Sequence, residues 1–189
     1  MDPISGINVK KDSTLAMLLA AQSRCWDIYY MEMNDLYVDA GQSMARTRQL
    51  SVCDDASDWY QFKDEEVKAL SDLDVILMRK DPPFDMEFIY ATYILELAMN
   101  SGVLVVNRPA SLRDANEKMF ITHFPQCIAP TLVTRDADRI NQFVEKHDEI
   151  ILKPLDGMGG SSIFRIKRGD PNTSVVIETL TSLQTRYIM

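Results

Sequence analysis

The amino-acid sequence predicts an α/β protein that contains a parallel β-sheet. Residues 74–78, read DVILM, form a short continuous apolar run, which is typical of a buried parallel strand. Residues 85–100 then show helical periodicity, Gly102 ends that pattern, and a second apolar run follows at residues 103–106. Together these segments predict a β-α-β unit with two parallel strands and a right-handed crossover.

A second α/β segment is predicted in the last third of the chain. Residues 136–147 have the spacing of an amphipathic helix with one buried face. The inward positions of this helix are Ile140, Phe143 and Val144. Two apolar runs follow, at residues 150–152 and 163–166, and we predict a strand at each of them.

The other elements are predicted from shorter patterns. Three further helices are expected. The first begins at Asp12 or Ser13, the second begins at residues 111–114 and runs through Lys118 and Phe120, and the third spans residues 172–183. Further strands are expected at residues 28–33, 131–134 and 185–189. Residues 36–52 are predicted to form a hairpin that turns at residues 39–41.

Composition and charge indicate a soluble globular protein without nucleic-acid or membrane partners. The chain has 189 residues, of which 46% are hydrophobic and 25% are charged. Its net charge of −8 and its scattered basic residues disfavour binding to a phosphate backbone. No apolar run approaches the ~20 residues that a membrane-spanning helix needs, and no signal-peptide pattern opens the chain.

The three cysteines, Cys25, Cys53 and Cys127, predict a reducing compartment. They are odd in number and lie far apart, so they fit neither a disulfide framework nor a C-x-x-C metal site. The cytoplasm is therefore the expected location. His123 and His147 each stand alone in helix-like surroundings and are interpreted as non-catalytic.

Residues 153–162, read KPLDGMGGSS, predict a loop that binds phosphate between two strands. Glycines lack the Cβ atom that keeps a backbone at a distance, so consecutive N–H groups can curl around an anion. A lysine adds a full positive charge, and two serines add hydroxyl donors. The residues concerned are Lys153, the glycines Gly157, Gly159 and Gly160, and the serines Ser161 and Ser162.

Two better-known glycine loops are excluded. A P-loop has its Lys-Ser/Thr pair directly after the last glycine, whereas Lys153 precedes the glycines. The dinucleotide motif G-x-G-x-x-G is absent, and residues 163–167 are predicted as a strand rather than a helix. A simple hairpin turn without function remains an alternative interpretation of the loop.

Charged residues follow the first strand of the β-α-β unit. Arg79, Lys80 and Asp81 come directly after residues 74–78. Ligands of open α/β sheets collect at the carboxyl ends of the strands, which makes these three residues candidates for ligand binding. The alternative is that Arg79 and Asp81 only pair with each other at the end of the strand.

Three long motifs in the chain closely resemble bacterial glutathione synthetases, a family of ATP-grasp ligases. They are MRKDPPFDMEFIYATYILE at residues 78–96, NRPASLRDANEKMF at residues 107–120, and EIILKPLDGMGGSSIFRI at residues 149–166. The resemblance runs along the whole chain. It implies an N-terminal Rossmann-like parallel-sheet domain in residues 1–117, followed by an incomplete ATP-grasp domain in residues 118–189.

The resemblance also implies roles for particular residues. Lys118 and Lys153 correspond to the two nucleotide-binding lysines of the family. The loop over the phosphates of ATP corresponds to Gly157, Met158, Gly159, Gly160, Ser161 and Ser162. In the family, part of the first domain faces the ligand cleft. The residues of this chain that correspond to that part, and would bind substrate, are Asp2, Arg79, Lys80 and Asp81.

The reaction implied by the resemblance is the ATP-dependent ligation of γ-glutamylcysteine to glycine. It proceeds through an acyl phosphate, requires Mg²⁺, gives glutathione, ADP and phosphate, and takes place in a cytoplasmic homo-oligomer. Two alternatives remain: another ATP-grasp carboxylate–amine ligase, and a truncated nucleotide-binding module without catalysis.

The chain departs from the family pattern in two ways, and each leads to an expectation. Members usually begin with an apolar strand before the Met-Asp-Pro loop, so the first sheet is expected to lack a strand. They also continue beyond the position of Met189 with an adenine hinge, acidic Mg²⁺ ligands and a lid loop. No metal ligand is therefore expected within this chain, and residues 1–189 alone are expected not to make glutathione.

Overall fold

A computed structural model describes residues 1–81, 83–156 and 159–189, which form two units, Met1–Arg113 and Asp114–Met189. The α-helices of the described residues are α1 (Ser13–Gln22), α2 (Met86–Asn100), α3 (Pro109–Asp114), α4 (Ala137–His147) and α5 (Thr173–Thr181). The strands are β1 (Tyr29–Tyr30), β2 (Leu36–Asp39), β3 (Gln42–Val52), β4 (Tyr60–Ala69), β5 (Val75–Leu77), β6 (Leu104–Val106), β7 (Glu149–Leu152) and β8 (Phe164–Lys167).

The longest strand, β3, is the centre of a four-stranded antiparallel sheet in the first unit. It pairs with β1, β2 and β4. The hairpin predicted at residues 36–52 is confirmed, because Leu36 lies opposite Ala45 and Asp39 lies opposite Gln42. The turn residues between β2 and β3 both have positive φ, as expected of a two-residue hairpin turn.

The predicted β-α-β unit is also confirmed. Strands β5 and β6 are parallel and adjacent, and α2 connects them. Asp85 caps α2, since its carboxylate accepts a hydrogen bond from Phe88 N at 2.9 Å. Leu95 and Ala98 of α2 pack against Ile76 and Val105 of the two strands in one buried cluster. This packing anchors strand β5, which is followed in the chain by Arg79, Lys80 and Asp81.

In the second unit, β7 and β8 form an antiparallel hairpin that carries the glycine loop. Ile150 lies opposite Ile166, and both are buried. Helix α4 has the predicted inward face, with Ile140 and Val144 buried and Phe143 partly buried against the same core. Helix α5 adds Ile177 and Leu180 to this core, so the strands that flank the loop are anchored by both helices.

The helix predicted to run through Lys118 and Phe120 is wrong. Helix α3 ends at Asp114, and Met119–His123 forms a 3-10 turn instead. The cause is Asn116, whose side-chain oxygen accepts hydrogen bonds from the N–H groups of Lys118 at 3.0 Å and Met119 at 2.9 Å. A side chain that binds the local backbone in this way competes with a continuous helix.

Three predicted strands are shorter than expected or are replaced by single bridges. The strand predicted at residues 28–33 is reduced to Tyr29–Tyr30, because a 3-10 turn follows at Met33–Asp35. The strands predicted at residues 131–134 and 185–189 are replaced by isolated bridges of Ile188 with Thr134 and with Pro154. Pro154 has no N–H group to donate, which prevents the ladder from extending.

Strand β4 was not identified by the sequence patterns. It reads YQFKDEEVKA, and most of its side chains are exposed, including Val67 at 59%. An apolar/polar alternation is therefore missing from its sequence. Its extended form is set by pairing with β3, which includes a hydrogen bond from the Thr47 hydroxyl to Glu66 O at 3.1 Å.

Candidate functional site

The glycine loop joins β7 to β8, and its backbone conformation requires glycine. Gly159 and Gly160 have φ values of +68° and +80°, in the region that side chains with a Cβ atom rarely adopt. A Cβ atom added at either position would meet no other atom within 4 Å. The backbone conformation rather than crowding therefore selects glycine here. Ser161 and Ser162 are exposed, whereas Gly157 and Met158 lie outside the described residues.

Lys118 lies at the beginning of this loop, although 37 positions of sequence separate it from Leu155. Its Nζ atom lies 3.4 Å from Leu155 O and 2.6 Å from the carboxylate of Glu117. Asn116 donates to the same Leu155 carbonyl at 3.3 Å. With only 12% of its side chain exposed, the lysine is held against the loop rather than extended into solvent.

Lys153 is positioned by its own backbone at the end of β7. Its N–H donates to Met189 O at 2.9 Å, and its carbonyl accepts from Met189 N at 3.0 Å. The preceding residue, Leu152, is 3% exposed and anchors the strand in the core of the second unit. The structure thus places Lys118, Lys153 and the described part of the glycine loop in one region of the second unit.

A cavity of about 550 Å³ lies beside Lys153. Its walls are largely apolar, and they come from the segment before α4, from α4 itself, from β7 and from the last two residues. Representative wall residues are Ile128, Leu132, Phe143, Ile151, Ile188 and Met189. Lys153 and Glu149 are charged members of the lining, and an apolar cavity with a cation in its lining suits a flat ring that carries an anionic substituent.

The cavity and Asn116 are parts of the site that the sequence analysis missed. The wall residues are separated along the chain, and each has an ordinary apolar identity that carries no signal by itself. His147, interpreted above as non-catalytic, borders this cavity and lies against Phe143, with ring centroids 4.3 Å apart. Asn116 stands two residues before Lys118, and this spacing is the one local signal for the turn.

Three of the four predicted substrate-binding residues line a second cavity, of about 560 Å³, in the first unit, and the fourth, Lys80, binds one of them. Asp2, Arg79 and Asp81 line this cavity, together with the residues that precede and begin α1. One Asp2 oxygen lies 2.7 Å from Lys80 Nζ, and the other accepts a hydrogen bond from Asp81 N at 2.6 Å. Pro82, the next residue, lies outside the described part of the chain.

Arg79 is held by α1. Its guanidinium donates to the hydroxyl groups of Thr14 at 3.1 Å and Ser13 at 2.9 Å. Within the described ranges no ion pair joins Arg79 to Asp81, so the alternative in which these two residues merely pair with each other is not what the structure contains. Arg79 is therefore held on the lining of the cavity by the two hydroxyl groups of α1.

The environment of Asp2 favours its ionised form. Partial burial alone would raise the pKa of this carboxyl group, but the hydrogen bonds from Asp81 N and Lys80 outweigh it and hold the pKa below its usual value. The carboxylate consequently stays charged throughout the neutral range. It fixes both the Lys80 ammonium group and the backbone at Asp81.

Metal-binding clusters and membrane-spanning helices are absent from the part of the chain that the structure describes. Residues 1–81, 83–156 and 159–189 contain no cluster of three or more His, Cys, Asp or Glu side chains that could hold a metal ion. Within the same ranges, every helix is too short or too polar to cross a bilayer.

Comparisons with known proteins agree for both units. Residues 1–113 match the family model described as the prokaryotic glutathione synthetase N-terminal domain, and residues 117–189 match that of the prokaryotic glutathione synthetase ATP-grasp domain. All 189 residues align with glutathione synthetases of Pseudomonas putida at 62% identity, Yersinia pestis at 61% and Vibrio cholerae at 60%.

The alignments cover 100% of this chain but 60% of the Pseudomonas putida protein and 59% of each of the other two. The chain therefore spans about three fifths of the length of these relatives. Both family models and an identity near 60% lead to the same assignment. The chain belongs to the prokaryotic glutathione synthetase family.

Proposed function

We propose that the full-length protein containing this chain is a glutathione synthetase that ligates γ-glutamylcysteine to glycine at the expense of ATP. One observation carries this proposal: Lys118 lies against Leu155 at the start of the glycine loop, and Lys153, two residues before Leu155, lines an apolar cavity. This is the arrangement needed to hold a nucleoside triphosphate. The relatives named above supply the substrates.

The proposed nucleotide site divides into a phosphate end and a ring end. Lys118, Lys153 and the backbone N–H groups of the loop neutralise and bind the phosphates, with Ser161 and Ser162 as further donors. Gly157 and Met158 are assigned to the same loop. The apolar cavity receives the adenine ring, whose flat faces need dispersion contacts and exclusion of water.

The proposed reaction has two transfers. A carboxylate oxygen of γ-glutamylcysteine forms a bond to the γ-phosphorus of ATP, and the bond from that phosphorus to the ADP oxygen breaks. The glycine amine then forms the peptide bond as inorganic phosphate leaves and the amine loses its proton. Lysine charges and loop N–H groups stabilise the charge on the transferred group, and a closed loop shields the acyl phosphate from water.

Mg²⁺ is the expected metal of such a reaction, because a divalent cation neutralises charge on the phosphates of ATP. The described residues do not bring together three acidic or histidine side chains, so this part of the protein does not supply a complete set of ligands.

The cavity of the first unit is proposed to bind γ-glutamylcysteine. This dipeptide carries two carboxylates and one ammonium group. Arg79 and Lys80 offer cations for the carboxylates, and Asp2 and Asp81 offer anions for the ammonium group. Mixed charges of this kind suit a zwitterionic ligand better than a purely anionic one.

The larger organisation is also part of the proposal. We assign residues 1–117 to a Rossmann-like domain and residues 118–189 to an ATP-grasp domain of a cytoplasmic homo-oligomer. The outer face of β5 and β6 is expected to be covered by further structure in the full-length protein, since Val75 and Leu104 are 44% and 59% exposed there. Parallel sheets normally bury both faces. All three cysteines are exposed free thiols, which suits a reducing compartment.

A substrate panel tests the assignment against other ATP-grasp ligases. ADP release by the full-length protein is measured with γ-glutamylcysteine plus glycine, with D-alanine alone, and with glutamate-terminated peptides plus glutamate. We expect ADP release only with the first pair, because the mixed charges around Asp2 and Arg79 match that dipeptide. Faster ADP release with either of the other sets would contradict the proposed function.

A further inference from the structure

The hydroxyl group of Tyr30 connects the N-terminal segment to the antiparallel sheet. Tyr30 is 3% exposed, and its hydroxyl donates a hydrogen bond to the carboxylate of Glu32 at 2.5 Å. The same oxygen accepts a hydrogen bond from Ile4 N at 3.1 Å and lies 3.4 Å from Asp2 O. One buried side chain thus contacts the backbone on both sides of Pro3.

The segment held by Tyr30 is the one that presents Asp2. Asp2 lies outside the helices and strands, so its position depends on individual contacts rather than on a ladder of backbone hydrogen bonds. On its far side, Asp2 binds Lys80 and the N–H of Asp81 at 2.7 and 2.6 Å. A displacement of Asp2 would therefore be passed directly to Lys80 and Asp81.

The acceptor of the Tyr30 hydroxyl is itself fixed. Glu32 N donates to the Asp35 carboxylate at 2.8 Å, and Asp35 accepts two hydrogen bonds from Arg46 at 2.9 and 2.7 Å. The guanidinium carbon of Arg48 lies 5.0 Å from the centroid of the Tyr30 ring. These contacts connect Tyr30 and Glu32 to strand β3, which pairs with the other three strands of the sheet.

We propose that Tyr30 is a positioning residue that, through Glu32 and the backbone at Asp2 and Ile4, fixes the cluster of Asp2, Lys80 and Asp81 for the dipeptide substrate. This inference rests on the proposed function and adds to it a residue that does not touch the cavity. Burial, and then the hydrogen bond to Glu32, raise the pKa of Tyr30 above its usual value, so the hydroxyl remains a donor in the neutral range.

The test is Tyr30→Phe in the full-length protein. The ring and its contact with Phe62, at 5.0 Å between centroids, are retained, and only the hydroxyl is lost. We expect the KM for γ-glutamylcysteine to rise by about tenfold, because the hydrogen bonds at Ile4 and Glu32 are lost together. The KM for ATP, measured at saturating dipeptide, should stay within about twofold of wild type, since the proposed nucleotide site lies in the second unit.

A control variant of Tyr37 and variants of Glu32 extend the test. Tyr37→Phe removes a hydroxyl from an exposed tyrosine of β2 and should leave both KM values unchanged. Glu32→Ala should reproduce the effect of Tyr30→Phe, whereas Glu32→Gln keeps an acceptor oxygen and should restore most of the affinity. In the double variant Tyr30→Phe/Glu32→Ala, the loss should be no larger than that of either single variant.

The outcomes separate this inference from the proposed function. An unchanged KM for the dipeptide in both Tyr30→Phe and Glu32→Ala, or an equal rise in both KM values, would overturn the positioning role. A wild-type protein that turns over no γ-glutamylcysteine would overturn the proposed function before any variant is compared. Binding of γ-glutamylcysteine by calorimetry gives the same comparison without catalysis.

Discussion

Replacing Gly159 and Gly160 together by valine in the full-length protein should lower ATP-dependent turnover by about a hundredfold. Both glycines have positive φ, and a β-branched residue is stiff and strained in that region. The N–H groups of the loop would then be turned away from the phosphates, and the loop could not close over them. Steady-state release of ADP measures the effect.

The chain offers a matched control for this variant. Gly169 follows β8 and has a φ of +77°, and an added Cβ atom there would also meet nothing within 4 Å. Gly169→Val therefore introduces the same kind of backbone strain outside the glycine loop. It should leave turnover near the wild-type rate. Equal losses in both variants, or full activity in the loop variant, would show that the loop is only a turn.

Removing the ammonium group of Lys153 should weaken the binding of an ATP analogue by about 2 kcal/mol, or roughly 30-fold. Lys153→Arg keeps the charge but changes its geometry, so a smaller loss is expected than for Lys153→Ala. Isothermal titration calorimetry with a non-hydrolysable analogue measures the affinity directly and does not depend on the chemical step.

The control for Lys153 is another lysine in the same hairpin. Lys167 lies in β8 with 66% of its side chain exposed, and its Nζ atom is 3.8 Å from Glu149. Lys167→Ala removes the same charge at a distance from the proposed phosphates and should leave the affinity unchanged. If Lys153→Ala binds the analogue as tightly as Lys167→Ala, Lys153 does not belong to the phosphate site.

Periodicity predicted the elements in which one face of a segment is buried. Helix α4 was predicted from the helical spacing of its apolar residues. Strands β5 and β6 were predicted from short apolar runs, although only their central residues, Ile76 and Val105, are buried. Strand β4 was missed because its conformation is set by pairing with β3 rather than by its own pattern. The predicted helix through Lys118 was wrong because the side-chain oxygen of Asn116 accepts hydrogen bonds from the N–H groups of Lys118 and Met119.

The residues of the proposed sites could be predicted only where consecutive residues together indicate a chemical role. Lys153 and the glycines stand out because a cation, flexible backbone and hydroxyls are consecutive. The role proposed for Lys118 came from family resemblance alone, and its position at Leu155 depends on a contact between distant residues. Tyr30 carried no signal, since its importance lies in long-range hydrogen bonds to Ile4 and Asp2.

The most direct measurement follows oxygen from the dipeptide. The full-length protein is incubated with ATP, Mg²⁺, glycine and γ-glutamylcysteine labelled with ¹⁸O in the cysteine carboxylate, and the products are analysed by mass spectrometry. The proposed reaction predicts glutathione in equal amount to ADP, with one labelled oxygen in each released phosphate. ATP hydrolysis without tripeptide, or tripeptide with unlabelled phosphate, would contradict it.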